Sequence, residues 1–246
     1  MTIFSLFTLH APAAGFLTAT SDGAWFANKN VQALLWPATV ETLLMVFLST
    51  AITVILGLPL GIYLAESRKG GLIEQPLAHR IVGVLVNIFR AIPFIILAVI
   101  ALFAIRVIDL PFLKAIGWPA FTVTLVIAAV PYFARMAESN VLAVEPGKVE
   151  AAQMMGASRI AIMAGVLVRE ALPAIIQSIT ILTITIIGYS AMASTVGGGG
   201  LGALAINYGY QRYRFDVIVI VVVVILILVQ IVQMVGDMLS RLVDHR

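Results

Sequence analysis

The chain has 246 residues, of which 61% are hydrophobic and 11% are charged, and its mean hydropathy is +1.08. Soluble domains are about 45–50% apolar and about 25% charged, so this composition excludes a disordered chain and a soluble enzyme with a charged shell. There are no Cys and only three His, which lie far apart, so we predict neither a disulfide scaffold nor a metal site. The net charge of +3 is small and dispersed and gives no indication of nucleic-acid binding. The composition indicates an integral membrane protein.

Stretches without charge locate the bilayer-crossing segments, because a transmembrane helix needs roughly 20 mostly apolar residues. The stretch that follows Arg90 is long enough only if the helix starts near Ile81, which places Arg90 within its first turns. We interpret Arg90 as a residue whose long side chain reaches the membrane interface. We therefore predict an all-α membrane protein with five transmembrane helices, near Thr42–Ala65, Ile81–Ile105, Ala115–Ala134, Pro173–Thr195 and Val217–Gly236.

The structure of the N-terminal segment, residues 1–37, is not assigned from the sequence. Met1–Ser21 carries no charge, but it contains His10, Pro12 and Gly15, and no Lys or Arg precedes Lys29, whereas a secretory signal has a basic start. An interfacial segment and a sixth transmembrane helix both remain open.

The distribution of Lys and Arg over the loops predicts the orientation. With five helices, one side of the membrane receives nine of these residues, or ten with Arg90, and the other side receives five. The richer side is expected to be cytoplasmic, which places the C-terminus inside the cell.

Acidic residues are absent from the middle of every predicted span. A proton-coupled carrier would need an ionisable group at depth, so the energy for any transport is expected to come from elsewhere. The fourth span is instead rich in uncharged polar residues. Their hydroxyls could bond to their own helix backbone or could line a passage for a polar solute; the candidates for such a passage are Ser178, Thr180, Thr183, Tyr189, Ser190 and Met192.

A glycine-rich segment, Gly197–Gly202, matches the G-x-G-x-x-G pattern of dinucleotide-binding proteins. That site requires a strand before the motif and an acidic residue about 20 residues after it. Here the segment follows a membrane helix, so we predict a flexible turn. The sequence also lacks G-x-x-x-x-G-K-[ST], so the chain has no nucleotide-binding loop of its own.

The longest charged loop, between Arg135 and Glu170, has the pattern of a short helix with defined ends. Pro146 favours a helix start and Gly156 a helix end, and Ser158 is suited to cap the helix that follows. Met154 and Met155 offer adaptable apolar side chains. From the residues alone, the short helix could lie on the membrane surface or serve as a contact for a partner protein.

This loop resembles the E-A-A-x-x-x-G loop of binding-protein-dependent ABC importer permeases, since Glu150-Ala151-Ala152 is followed by Gly156-Ala157. Arg169 is a departure, because the family pattern has Pro at that place. Further stretches are similar to the methionine branch of the family: Asn87–Phe94, Val130–Met136, Glu170–Pro173 and Gly188–Met192.

The resemblance implies a type I permease fold over residues 38–240, with a coupling loop near 141–165 and a cytoplasmic tail at 241–246. It also implies a bacterial inner-membrane homodimer with two separate ATPase subunits, which would bind ATP and Mg, and an external methionine-binding lipoprotein. This chain itself would have no catalytic residues, no cofactor and no nucleic-acid partner. The expected ATPase-coupling residues are Glu150, Ala151, Ala152, Met154, Met155, Gly156 and Ala157. The alternatives are an ABC permease for another small polar solute, and a self-sufficient channel or secondary carrier.

Overall fold

The structure, a computed structural model, describes residues 29–108 and 116–244, and the regular elements in these ranges are all helical. The main helices are α1 Lys29–Glu66, α2 Pro76–Ala91, α3 Phe94–Ile108, α4 Trp118–Leu142, α5 Pro146–Met154, α6 Arg159–Ile162, α7 Val168–Ser190, α8 Gly200–Leu204 and α9 Phe215–Val243. Within these ranges, four helical stretches are long and apolar enough to cross a membrane, and the bent pair α2 and α3 provides a fifth candidate. The predicted all-α membrane fold is confirmed.

α1 and α4 pack closely because α1 presents glycines to α4. A Cβ atom at Gly61 would lie 2.5 Å from the carbonyl oxygen of Ala134 and 2.6 Å from the Cβ of Ala137, so only glycine fits there. Gly57 faces the ring of Phe133 in the same way, at 2.9 Å. The G-x-x-x-G sequence of α1 therefore brings two helix backbones together, as small residues do in membrane bundles.

The apolar core lies between α1, α4 and α7. Large side chains from each of these helices are fully buried there and pack against one another. The principal members are Met45, Phe121, Leu125, Phe133, Ile175, Leu182 and Ile186.

The second predicted span, Ile81–Ile105, is divided between two helices. α2 and α3 meet at an angle of 104°. Pro93 has no N–H and disfavours helical geometry in the residue before it. Ile92 accordingly has an extended backbone, with φ −73° and ψ 126°. The proline thus ends α2 and redirects the chain.

The fourth predicted span begins earlier than Pro173. The chain becomes helical at Arg159, passes through a π-helical turn at Met163–Leu167 and continues as α7, so Pro173 lies inside a helix. Arg169 retains the backbone N–H that the family's usual proline lacks, and α7 runs through it without a break. The start of α7 at Val168 lies one residue before Arg169, directly after the π-helical turn.

α1 begins at Lys29, before the predicted span start at Thr42. It runs through Pro37 and therefore crosses the predicted boundary between the N-terminal segment, residues 1–37, and the permease fold, residues 38–240. Glu41, the predicted edge of the span, lies well inside the helix. The interpretation of Met1–Ser21 and the end of the tail at residues 245–246 fall outside the described residues.

Candidate functional site

The loop between α4 and α6 contains a short helix, α5, with well-formed ends. Pro146 is the first residue of α5, as predicted, at a position where its missing N–H costs nothing. Gly156 has φ +79°, a left-handed conformation that glycine adopts without a side-chain clash. The N–H of Gly156 donates to the carbonyl of Gln153 at 2.9 Å, and that of Ala157 donates to Ala152 at 3.1 Å. The predicted helix end at Gly156 is confirmed.

The chain re-enters helix directly after this turn. Ser158 has an extended backbone, and its Oγ accepts a hydrogen bond from the N–H of Ala161 at 3.2 Å. This is the predicted N-cap of α6. Caps on both sides fix the direction in which the turn between α5 and α6 projects.

Two methionines at the end of α5 stand out from the protein. Met154 is 90% exposed and Met155 is 81% exposed, and Ile160 on α6 is exposed as well. Large apolar side chains exposed together are typical of interaction sites. Glu150, Ala151, Gly156 and Ala157 are also exposed, whereas Ala152 is buried.

The underside of α5 packs onto α1, α4 and the π-helical turn. Val149 contacts a buried apolar cluster formed by Ala65 of α1, Val141 of α4 and Leu167 of the π-helical turn. Lys148 Nζ forms an ion pair with Glu170 Oε2 of α7 at 2.5 Å. α5 is therefore attached to the transmembrane bundle on one face and free on the other.

The polar residues of the fourth span mostly bond to their own helix. Thr180, Thr183 and Ser190 each donate a hydroxyl hydrogen bond to a carbonyl three or four residues earlier, at 2.7–3.0 Å. Ser178 instead accepts a hydrogen bond from Asn140 Nδ2 of α4 at 2.8 Å. This pattern agrees with the first of the two interpretations of these hydroxyls.

Tyr189 lies at the junction of the broken second span and α7. Its ring stacks on Phe94, with a centroid distance of 4.4 Å and an interplanar angle of 4°, and Phe94 also meets Phe121 edge-on at 5.8 Å. Met192, just beyond α7, is 36% exposed. Tyr189 and Met192 therefore mark the end of α7 where aromatic and exposed apolar groups meet.

Gly197–Gly199 form a turn and Gly200–Gly202 begin α8. A Cβ at Gly198, Gly199 or Gly202 would collide with neighbouring atoms, so the prediction of a flexible turn is wrong. Glu41 Oε2 accepts a hydrogen bond from the N–H of Gly200, and Thr42 Oγ1 accepts one from Leu201, both at 2.8 Å. These bonds satisfy free N–H groups at the start of α8. The sequence pattern identifies Glu41 only as a charge at a span edge and gives no sign of this capping role.

Comparisons with known proteins agree with this arrangement. Residues 57–246 match the family described as binding-protein-dependent transport system inner membrane component. The probable D-methionine transport system permease protein MetI of Vibrio cholerae is 46% identical over 222 residues, which cover 90% of this chain and 96% of that protein. Its counterpart in Haemophilus influenzae is 40% identical, covering 85% and 97%.

Solved structures show the same fold. A chain from inward facing conformations of the MetNI methionine ABC transporter has a TM-score of 0.84 and 39% identity, covering 89% of this chain and 100% of that one. A chain of an amino acid ABC transporter crystallised with histidines has a TM-score of 0.72 at 18% identity, a likeness of fold.

This chain therefore belongs to the binding-protein-dependent transport system inner membrane components. Within that family it is a permease of the MetI type, a multi-pass protein of the inner membrane.

Proposed function

We propose that this chain is the permease of an ABC importer for methionine, with both enantiomers as substrates, and that a separate subunit hydrolyses the ATP. Its relatives are D-methionine transport permeases, and the similar MetNI structure is that of a methionine ABC transporter. The sequence carries no phosphate-binding loop, so ATP and Mg are assigned to the partner ATPase.

The observation that carries the mechanism is the pair of exposed methionines on a helix with fixed ends. Met154 and Met155 have the size and flexibility to fill an apolar groove on the ATPase. Ala151 and Gly156 permit close approach of the two backbones. Glu150 is exposed and available to a basic residue of the partner, while the buried Ala152 and the turn residue Ala157 hold the helix in place.

The proposed assembly contains two copies of this chain, two ATPase subunits and an external methionine-binding lipoprotein, set in the bilayer. α9 supports a membrane-embedded assembly, because its most apolar stretch is only 11% buried within the chain. Exposed apolar side chains of this kind are covered by lipid or by a second copy.

We assign the passage to the polar part of the fourth span. Ser178, Thr180, Thr183 and Ser190 are polar but uncharged, so they would place no fixed charge beside a zwitterionic amino acid. Tyr189 and Met192 are the proposed contacts for the thioether tail. Rocking of α7 and its neighbours would open the passage alternately to each side.

The docking proposal is tested with Met154→Glu in the assembled transporter. A carboxylate forced into an apolar groove loses its hydration, so co-purification of the ATPase and methionine import should each decrease by about tenfold or more. Both are measured after co-expression of all subunits, by quantitative gel analysis and by uptake into vesicles.

Leu242→Glu is the matched control, because Leu242 is 67% exposed near the end of α9, outside the loop. This variant should retain the ATPase. If Met154→Glu also retains the ATPase and imports normally at equal expression, α5 is not the docking element.

A further inference from the structure

An ion pair connects the coupling helix to the fourth span across a long stretch of chain. Lys148 belongs to α5 and Glu170 to α7, and their charged atoms lie 2.5 Å apart although the residues are 22 positions apart in sequence. The chain between them passes through the turn at Gly156, the short helix α6 and the π-helical turn Met163–Leu167. The ion pair joins the two ends of this path directly.

The chain segment between Lys148 and Glu170 contains short and irregular helices, which are poorly suited to transmit a displacement of α5 to α7. α6 has only four residues, and the π-helical turn interrupts the regular hydrogen bonding between α6 and α7. π-helical turns of this kind are found at functional sites within helices. Because the ion pair connects α5 directly to α7, the orientation of α7 relative to α5 depends less on these short segments.

The part of α7 that contains Glu170 is also attached to α9. Ser240 Oγ donates a hydrogen bond to the carbonyl of Pro173, three residues after Glu170, at 3.3 Å. Further along, Gly236 of α9 lies directly against the side chain of Thr180. A displacement of Glu170 would therefore act on α7 and α9 together.

We propose that Lys148 and Glu170 are positioning residues whose ion pair makes α5 and the cytoplasmic end of α7 move as one body during the transport cycle. This proposal rests on the proposed docking of α5 to an ATPase. The two side chains are 42% and 36% exposed, and exposed ion pairs contribute little to folding stability. The pair therefore acts on the geometry of coupling and leaves the fold intact when it is removed.

The test compares Lys148→Glu, Glu170→Lys and the double charge swap in vesicles that contain the complete transporter. Methionine import and ATP hydrolysis are measured in the same preparation, and their ratio is the readout. Each single variant should lower import per ATP by about threefold, since a single exposed pair contributes a small free energy. The double swap should restore at least half of the original ratio, because it re-forms the pair with reversed signs.

Lys69→Glu is the matched control, since Lys69 is an exposed lysine in the loop after α1, and it should leave the ratio unchanged. The proposal is overturned if the single variants keep the original ratio, if the swap fails to restore it, or if Lys148→Glu releases the ATPase. If the unmodified transporter itself imports no methionine, the proposed function fails instead.

A second experiment uses the absence of Cys from the chain. Lys148→Cys and Glu170→Cys are joined by a short reducible bis-thiosulfonate linker, because two long side chains span more than a direct disulfide can bridge. Linking should raise import per ATP above the unlinked double variant, and reduction should lower it again. Import that stops on linking and returns on reduction would show that the pair separates during the cycle, and would overturn the proposal.

Discussion

Glycine serves two different purposes in this chain. At Gly156 the backbone has φ +79° and no atom lies within 4 Å of the position that a Cβ would take, so the requirement is conformational. At Gly61 the backbone is ordinary helix and the requirement is space, because α4 occupies the position of a side chain. The helix end at Gly156 is predicted from the sequence, and the G-x-x-x-G spacing of α1 is compatible with close helix packing.

Gly61→Ala is expected to destabilise the protein by about 1–3 kcal/mol, because the added methyl must displace the backbone of α4. Gly188→Ala provides the comparison, since Gly188 is also helical but has nothing within 4 Å. That variant should be at least as stable as the original, because alanine favours helix more than glycine does. Thermal unfolding of the detergent-solubilised proteins measures the difference, and equal unfolding temperatures for the two variants would contradict the packing of α1 on α4.

Among the elements, α5 could be predicted in detail because its signals are local. A proline start, a glycine end and a serine cap each act within a few residues, and the structure contains all three. The exposure of Met154 and Met155 depends on the surrounding fold and cannot be read from neighbouring residues alone. It is consistent with the position of α5, because a short helix between membrane spans has few large surfaces beside it to cover such side chains.

The bend between α2 and α3 could not be predicted from hydropathy, which measures the length of an apolar stretch and contains no information on its direction. Pro93 permits the bend, and contacts distant in sequence fix it. Arg135 of α4 donates to the carbonyl of Gly83 in α2 at 2.9 Å, while Phe94 at the start of α3 stacks on Tyr189 of α7. The two halves of the span are thus held by different partners.

The order of the turn at Gly197–Gly202 could not be predicted for a similar reason. It depends on Glu41 and Thr42, which are 159 positions away from the groups they cap. A charge count along the chain places Glu41 at a membrane boundary, and only the packing of α8 beside α1 reveals its hydrogen bond. Glycine-rich composition alone does not distinguish a close-packed turn from a mobile one.

For the molecule as a whole, the loop charges predict the orientation in the membrane, and this orientation decides whether α5 can reach an ATPase. A reporter that is active only in the cytoplasm should be on when fused after residue 246 or inserted next to Lys148, and off when inserted next to Lys114. The Lys114 insertion lies outside the described residues and tests the opposite side. The reverse pattern of activity would place α5 outside the cell and contradict the coupling role.

The central claim, that this permease carries methionine, is tested most directly by uptake of labelled methionine into vesicles containing the assembled transporter. The external binding protein is added on the outward-facing side, since the proposed assembly includes it. We predict ATP-dependent accumulation that unlabelled D- and L-methionine reduce and that leucine, histidine and phosphonate do not. If methionine neither accumulates nor competes while another of these solutes is imported, the substrate assignment is contradicted.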